Sequence, residues 1–372
     1  MGFKIIKICF IQLWSYPIAF NYPNQLLGGS EVQLSLIAKK LAENKSFEVS
    51  FIVGDFGQKK IEKKANILFY KLCGLKKESG FFGKISKAIK YFNLMKKIDA
   101  DVYFTSAAGP DIGVISIFCK ILGKKHVHRV ASNIDVDETY IKRSGLSGLL
   151  YGYGLKNSNA IMVQSKDQQY TLLKYHAIKS TIVKNSFKIY RRRIKHKKII
   201  LWVGKARRLK KPELFIDLSK EFPKENFVMI CPIANEELNY FSQVKSKAGE
   251  VENLQFIKLV QFSKIQKWFN EAKVFVNTSE YEGFPNTFLQ AGLGKTPILS
   301  LNVNPDNFLV AHNCGYSCND NFIELKEKLH RLLVNKRESV DKGKNSFDYV
   351  KKNHDINKNI LKIKKMIRDV IN

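Results

Sequence analysis

The sequence predicts an α/β protein built as two doubly wound, Rossmann-like domains that face each other across a cleft. Three observations lead there. The chain has 372 residues, too many for one ordinary core and suited to two. Short apolar runs rich in β-branched residues alternate with longer helix-patterned stretches. The alternation stops at a very basic stretch, Lys188 to Lys198, and then starts again.

In the first set, strands are expected at 4–13, 48–53, 66–72, 100–105, 126–131, 159–164 and 181–184. The second set covers 198–203, 226–231, 254–259, 273–277 and 296–300. Helical patterns lie between them, as at Glu31–Glu43, Pro212–Lys220, Asn286–Leu293 and Phe322–Leu333. Such spacing makes parallel sheets, which bind ligands at the carboxyl ends of their strands. A facing pair places the site in the cleft. The expected division is 1–186 and 187–352, with a last helix at 353–372 packing back toward the first domain.

Composition narrows the class. At 45% hydrophobic, with no low-complexity tract, the chain is expected to fold throughout. No segment reaches the roughly 18 consecutive apolar residues of a spanning helix. Lys4 and Lys7 interrupt the apolar start, which reads as a first strand rather than a signal peptide, so a cytoplasmic location is expected. The cysteines are scattered, mostly inside apolar runs where they act as small hydrophobes. Cys314 and Cys318 lack the second pair that zinc requires.

The formal charge is +30, from 63 Lys+Arg against 33 Asp+Glu. It favours polyanionic partners: phosphorylated substrates, acidic lipid or nucleic acid. No nucleic-acid motif with interleaved stacking aromatics is present, so nucleic acid is not an expected partner. The stretch from Phe81 to Lys97 reads as an amphipathic helix, with Phe81, Ile85, Ala88, Ile89 and Phe92 on one face and Lys84, Lys87 and Lys90 opposite. An ordinary helix packed on its sheet is the first expectation. Peripheral docking on an anionic membrane stays open.

Three constellations carry chemistry. In the first, the apolar strand ending Val274-Phe-Val-Asn277 runs into Glu282 and Gly283, and a helix starts near Asn286 or Thr287 behind Pro285. A strand–loop–helix of this kind aims backbone N–H groups and the positive end of a helix dipole at a bound anion. Glu282 can accept hydrogen bonds from sugar hydroxyls, and Gln290 follows on the helix. In the second, a strand ends at Gly204 and a loop holds Lys205, Arg207, Arg208, Lys210 and Lys211 before Pro212 opens a helix. Cations there oppose the helix dipole, a conflict that hints at a bound anion. The third is Gly28-Gly29 ahead of Ser30, a plausible N-cap.

These residues resemble glycosyltransferase family 4, a retaining family with the GT-B fold. Glu282-Gly-Phe-Pro-Asn-Thr-Phe-Leu-Gln290 is similar to its E-x7-E signature, and Gly294 to Leu301 and Asn304-Pro-Asp306 to the strand and loop that follow. The resemblance is strong from Ile199 to Leu309 and weak before Asn159. It implies that Glu282 holds sugar hydroxyls and that the amides of Gly283, Phe284, Pro285-Asn286 and Thr287 line the donor. It further implies that Lys210 matches the family lysine neutralising the diphosphate. Lys205 stands where the family has Arg and lacks its bidentate fork, so Arg207 is expected to take that part. Gln290 replaces a carboxylate that holds the ribose. Gly28 and Gly29 are implied on the acceptor side.

Asn133 and Asp135, at the exit of the 126–131 strand, are expected near the acceptor, whereas His126 and His128 fall too early in it. Asp135-Val-Asp137 has the D-x-D form of a manganese anchor, but the cation cluster already supplies the charge, and no metal or other cofactor is expected. The implied activity is metal-independent, retaining transfer of a sugar from a nucleotide diphosphate to a glycan acceptor, itself lipid-linked and destined for surface polysaccharide. The alternatives are a nucleotide-sugar epimerase of the same fold, or a weakly active transferase-like scaffold that binds membrane or nucleic acid.

Overall fold

The computed structural model describes residues 5–20, 28–72, 81–190, 197–234 and 237–372. Cys73 and most of the basic stretch, 191–196, lie outside them, as do Leu26 and Leu27 ahead of the glycine pair. Contacts divide the chain into two compact units. One is Met1–Ser186 with Ile356–Asn372, and the other is Phe187–Asp355.

The first unit runs β1 (Ile6–Ile11), α1 (Tyr16–Phe20), α2 (Gly29–Ala42), β2 (Phe47–Val53), β3 (Ile61–Lys64), β4 (Ile67–Lys71), α3 (Phe81–Ile98) and β5 (Val102–Ser106). It continues with α4 (Asp111–Ile121), β6 (Lys125–Arg129), α5 (Thr139–Arg143), α6 (Gly145–Asn157), β7 (Ala160–Val163), α7 (Lys166–His176) and β8 (Thr181–Ile182). The sheet order is β3-β4-β2-β1-β5-β6-β7-β8, parallel except where β3 meets β4. Alternate residues of β1 serve opposite faces: Ile8 and Phe10 join the core under α2, while Cys9 and Ile11 join the core under α3 and α4. Both faces are covered, which is why the strands read as continuous apolar runs.

The second unit holds β9 (Ile199–Val203), α8 (Pro212–Lys220), β10 (Asn226–Ile230), α9 (Leu238–Gly249), β11 (Leu254–Ile257), α10 (Phe262–Glu271), β12 (Ala272–Asn277) and α11 (Asn286–Leu293). After these come β13 (Ile298–Ser300), α12 (Phe308–Ala311), β14 (Gly315–Ser317), α13 (Phe322–Val334) and α14 (Lys336–Asn353). All six strands are parallel, in the order β11-β10-β9-β12-β13-β14. β14 depends on its glycine: a Cβ on Gly315 would lie 1.8 Å from the Ile298 carbonyl oxygen. Lys197, from the basic stretch, is consumed here. Its ammonium donates to the Ala272 and Gly294 carbonyls and to Thr296 Oγ1 (2.8, 3.0 and 2.7 Å), and burial lowers its pKa to about 7.

Two local expectations change. Gly28, not Ser30, caps α2, and the Ser30 hydroxyl donates to Glu31 Oε2 at 3.0 Å. Glu31 folds back over the cap, so a Cβ on Gly28 would meet its Oε2 at 2.2 Å. In α3 the inward residues are Tyr91 and Met95, while Ile85 and Ile89 are exposed, because the sheet takes the stripe nearer the helix's carboxyl end. The remaining cysteines, Cys9, Cys119, Cys231, Cys314 and Cys318, are buried and free. Among the described residues no helix is long and apolar enough to cross a membrane.

The final helix, α15 (Ile356–Ile371), belongs to the first unit. Ile360, Ile363, Met366 and Ile367 form one stripe in the same core as Leu34, Ile37 and Leu41 of α2. Truncating a fully buried isoleucine to alanine removes apolar contact and leaves a cavity. Ile367→Ala is expected to lower the unfolding free energy by about 2–5 kcal/mol, read by urea denaturation. Wild-type stability would mean that α15 only lies on the surface.

Candidate functional site

β9 and β12 are neighbours near the centre of the second sheet, so the loops at their carboxyl ends lie side by side. The β9 loop leaves through Gly204, where a Cβ would stand 2.9 Å from the Trp202 ring. It then makes a 3-10 turn, Arg208–Lys210, and enters α8 through Lys211 in the left-handed region (φ 44°). The β12 loop runs from Thr278 to Pro285 and enters α11.

Thr278 joins the two loops. Its side chain is fully buried, accepts from Trp202 Nε1 at 2.9 Å and donates to the Lys210 carbonyl at 2.7 Å. A backbone bond from Glu280 N to the Leu209 carbonyl (2.8 Å) makes a second stitch. These bonds bring Lys210 and Glu282 together, with the ammonium 2.7 Å from Glu282 Oε1. The same oxygen accepts from Ser279 Oγ at 2.8 Å and Asn277 Nδ2 at 3.1 Å. Sequence reasoning named Lys210 and Glu282 but not this frame. Its signal is the polar run Asn277-Thr278-Ser279 at the end of an apolar strand.

The five loop cations do different work. Arg208 lies 4.8 Å over the Tyr240 ring, and its backbone N–H bonds Glu237. Lys211 reaches Asp320 at 3.0 Å. Lys210 faces Glu282, and Lys205 and Arg207 share the turn, joined by a 2.8 Å bond from Arg207 N to the Lys205 carbonyl. Across from them, Pro285 opens α11 with no side-chain cap. Gly283 and Pro285 are buried, and Asn286 and Thr287 are half-buried at the helix start. The Phe284 ring turns inward against Phe308 and His354, so only its backbone can serve a ligand. Gln290 is 5% exposed, and its carbonyl receives the Gln266 side chain at 2.9 Å.

In the first unit, Gly28 and Gly29 sit at the start of α2. Asn133 is exposed beyond β6 and accepts from Gln168 Nε2 at 3.1 Å. Asp135, expected at the acceptor, is buried, with Oδ2 accepting the Ala131 and Ser132 amides (2.9 and 3.0 Å). Burial raises its pKa to about 6 against those two amides. Its carboxylate caps a turn, and Asp137 likewise takes the Thr139 amide. Among the described residues no group of three His, Cys, Asp or Glu side chains is gathered as metal ligands.

His126 and His128 are fully buried, and burial brings His126 to about pKa 3 and His128 well below its usual value. Their bonding fixes the tautomers. Ser158 donates to the Gly154 carbonyl, so it accepts from His126 Nδ1. His126 Nε2 then accepts from Thr105, and Thr105 accepts from His128 Nδ1. The relay is an internal strut of the sheet.

The Lys210–Glu282 pair has a pH signature. Burial alone pushes the Glu282 carboxyl up, but Lys210, Ser279 and Asn277 outweigh it and hold the pKa below the ordinary 4.5. The unfolded chain therefore takes up this proton first. The pair's stabilisation is full above the unfolded value and is lost as pH falls through the lowered folded value. In Lys210→Met the carboxyl moves up, so the melting-temperature gap to wild type should narrow between about pH 7 and about pH 3. A gap independent of pH would rule the pair out.

Residues 185–349 match the family model described as Glycosyl transferases group 1. No curated protein matches the sequence significantly. Solved structures similar to the chain include sucrose-phosphate synthase from Thermosynechococcus elongatus, at 14% identity and a TM-score of 0.80 over 98% of this chain and 99% of that one. HepE of Anabaena, in complex with UDP and glucose, is 13% identical with a TM-score of 0.74 over 98% and 100%. TarM of S. aureus, in complex with Fondaparinux, α-GlcNAc-glycerol and UDP, is 16% identical with a TM-score of 0.62 over 76% and 59%. The fold is GT-B, with two α/β units of parallel sheet. Since 185–349 spans nearly the whole second unit, the strands, loops and helices around Lys210 and Glu282 lie within the stretch that matches group 1 glycosyl transferases, and that match supports a glycosyltransferase enzyme.

Proposed function

We propose that the chain transfers a sugar, with retention of configuration and without a metal, from a nucleotide diphosphate donor to a hydroxyl of a lipid-linked glycan in surface polysaccharide synthesis. The observation that carries the donor side is the Lys210–Glu282 pair, held between Thr278 and an uncapped helix start. A carboxylate for sugar hydroxyls thus lies beside a cation for phosphate. UDP in two similar structures supports a nucleotide donor. The strongly basic chain suits a phosphorylated donor and an acceptor presented at the cytoplasmic face of an anionic membrane.

In this reading Lys210, Arg207 and Lys205 stabilise the negative charge that grows on the departing diphosphate. The helix start at Asn286 and Thr287 adds its dipole. Glu282 and the amides from Gly283 onward hold the sugar, while Gly204 lets the diphosphate approach the backbone closely. The C1–oxygen bond breaks with its electron pair going to the diphosphate. The acceptor hydroxyl bonds to C1 from the same face, and its proton leaves with the phosphate. Gly28, Gly29 and Asn133 are assigned to the acceptor side. Asp135 supports the turn bearing Asn133.

The test is transfer from a panel of UDP-, GDP- and ADP-sugars in the presence of EDTA. Activity with at least one donor is expected, with Lys210→Ala folded but slower by on the order of 100-fold or more. A fully active, folded Lys210→Ala protein would sink the assignment, and activity restored only by Mn²⁺ would sink its metal independence. A second test concerns the ribose. A carboxylate makes stronger hydrogen bonds to hydroxyls than an amide does, so Gln290→Glu should tighten donor binding by about 1 kcal/mol, or several-fold, in calorimetric titration. Equal affinities would remove Gln290 from the ribose.

A further inference from the structure

α3, α4 and α6 cover one face of the first sheet, with α4 packed against both others. A helix on the outside of a domain usually turns one apolar stripe inward and a polar face outward. α6 has two apolar stripes. Tyr151 and Leu155 are buried in the core, yet Leu146, Leu149 and Tyr153 are 67%, 66% and 39% exposed. Their spacing puts them on one outward line, which Lys156 continues. α3 repeats the arrangement. Tyr91 and Met95 face the core, and Ile85 and Ile89 are 42% and 56% exposed on a line that Lys96 continues. Ile121, at the end of α4, is exposed as well. In the second unit the exposed apolar residues are dispersed, as with Ile323 and Val334 at opposite ends of α13. Dispersed single residues are ordinary, whereas two outward lines flanking one helix are not.

Charge selects the occupant. α3, α5 and α6 contain no acidic residue, and the Asp111 carboxylate of α4 is held by Lys87 at 2.6 Å. Lys84, Lys96, Lys97, Arg143 and Lys156 stand on the same helices. A second copy of this face would set like charge against like. A bilayer with acidic headgroups offers both an apolar boundary and negative charge. We propose that the outer face of α3, α4 and α6 docks on an anionic lipid bilayer, seating Ile85, Ile89, Leu146, Leu149 and Tyr153 at headgroup depth. This deepens the reading of a membrane-presented acceptor, on which it rests, by assigning the contact surface.

The test is co-sedimentation of the full chain with vesicles of phosphatidylethanolamine and phosphatidylglycerol, against phosphatidylcholine alone. Binding to the anionic vesicles should be at least about tenfold stronger and weaken with salt. The double variant Ile89→Glu/Leu149→Glu should lose about tenfold in binding, while the control Ile323→Glu/Val334→Glu binds as wild type does. Both positions are exposed, and unchanged melting curves verify the fold. Equal binding to both vesicle types, or a folded double variant that binds as wild type does, overturns the proposal. So does self-association abolished by the double variant in a chain that ignores vesicles. Nucleotide-sugar thermal shifts on the same proteins read the donor site separately, so their loss would strike the transferase reading and leave the docking surface standing.

Discussion

Thr278 is where the second unit turns from scaffold into site. Its single hydroxyl must accept from Trp202 and donate to the Lys210 carbonyl, and it does so fully buried. Removing it would leave a buried indole N–H and a carbonyl without their partner, a loss of about 1–3 kcal/mol for each group left unsatisfied. The larger consequence is positional. Lys210 lies on a loop, yet its backbone is tied to the end of β12, with Glu280 N adding the second tie. The Lys210 ammonium is thereby referenced to two central strands.

Lysine is used here in at least three physical ways, which explains why the total charge says so little by itself. Lys197, at the amino ends of β9 and β12, is a buried fastener that satisfies three oxygens. Lys211, itself half-buried, is drawn aside to the exposed Asp320. Lys210 is held half-buried against Glu282, where the local dielectric makes its charge count for more. On α3, Lys87 repeats the second use by pairing with Asp111, while Lys84, Lys96 and Lys97 of α3 and Lys156 of α6 stand elsewhere on those helices. They border an apolar surface, and only the exposure of its side chains separates that surface from an ordinary solvated face.

The fold was legible wherever periodicity was long and flanked by strong punctuation. Pro212 and Pro285 fixed the starts of α8 and α11, and both helices fall where the pattern places them. β3 was not legible because Ile61-Glu-Lys-Lys64 is a polar edge strand with no buried residue on either face. β14 was missed because three residues carry no period, and its defining feature is the close approach at Gly315. At the site, Glu282 and Lys210 could be named singly from motif and resemblance. Their pairing could not, since it depends on bonds between loops about 70 residues apart in sequence, a register that only the parallel pairing of β9 and β12 supplies. Asp135 is a different case: the exit of β6 was located, and there the carboxylate is bonded to its own backbone, a local use that spacing does not reveal.

The arrangement of donors on Glu282 shows how one carboxylate can serve both the protein and a sugar. Lys210, Ser279 and Asn277 all converge on Oε1, and none of these bonds uses Oε2. A carboxylate has about four lone-pair positions, so three donors on one oxygen hold the group in place while the second oxygen keeps its accepting capacity. Lys210 has three N–H donors, and the Glu282 bond occupies one. In the transfer reading the ammonium therefore need not abandon Glu282 when a diphosphate arrives. Glu282 aims it, and a phosphate oxygen takes another of its protons. The two opposite charges then meet the donor as a preset unit, cation toward phosphate and anion toward hydroxyls, and little reorganisation is left for the moment when the glycosidic bond breaks.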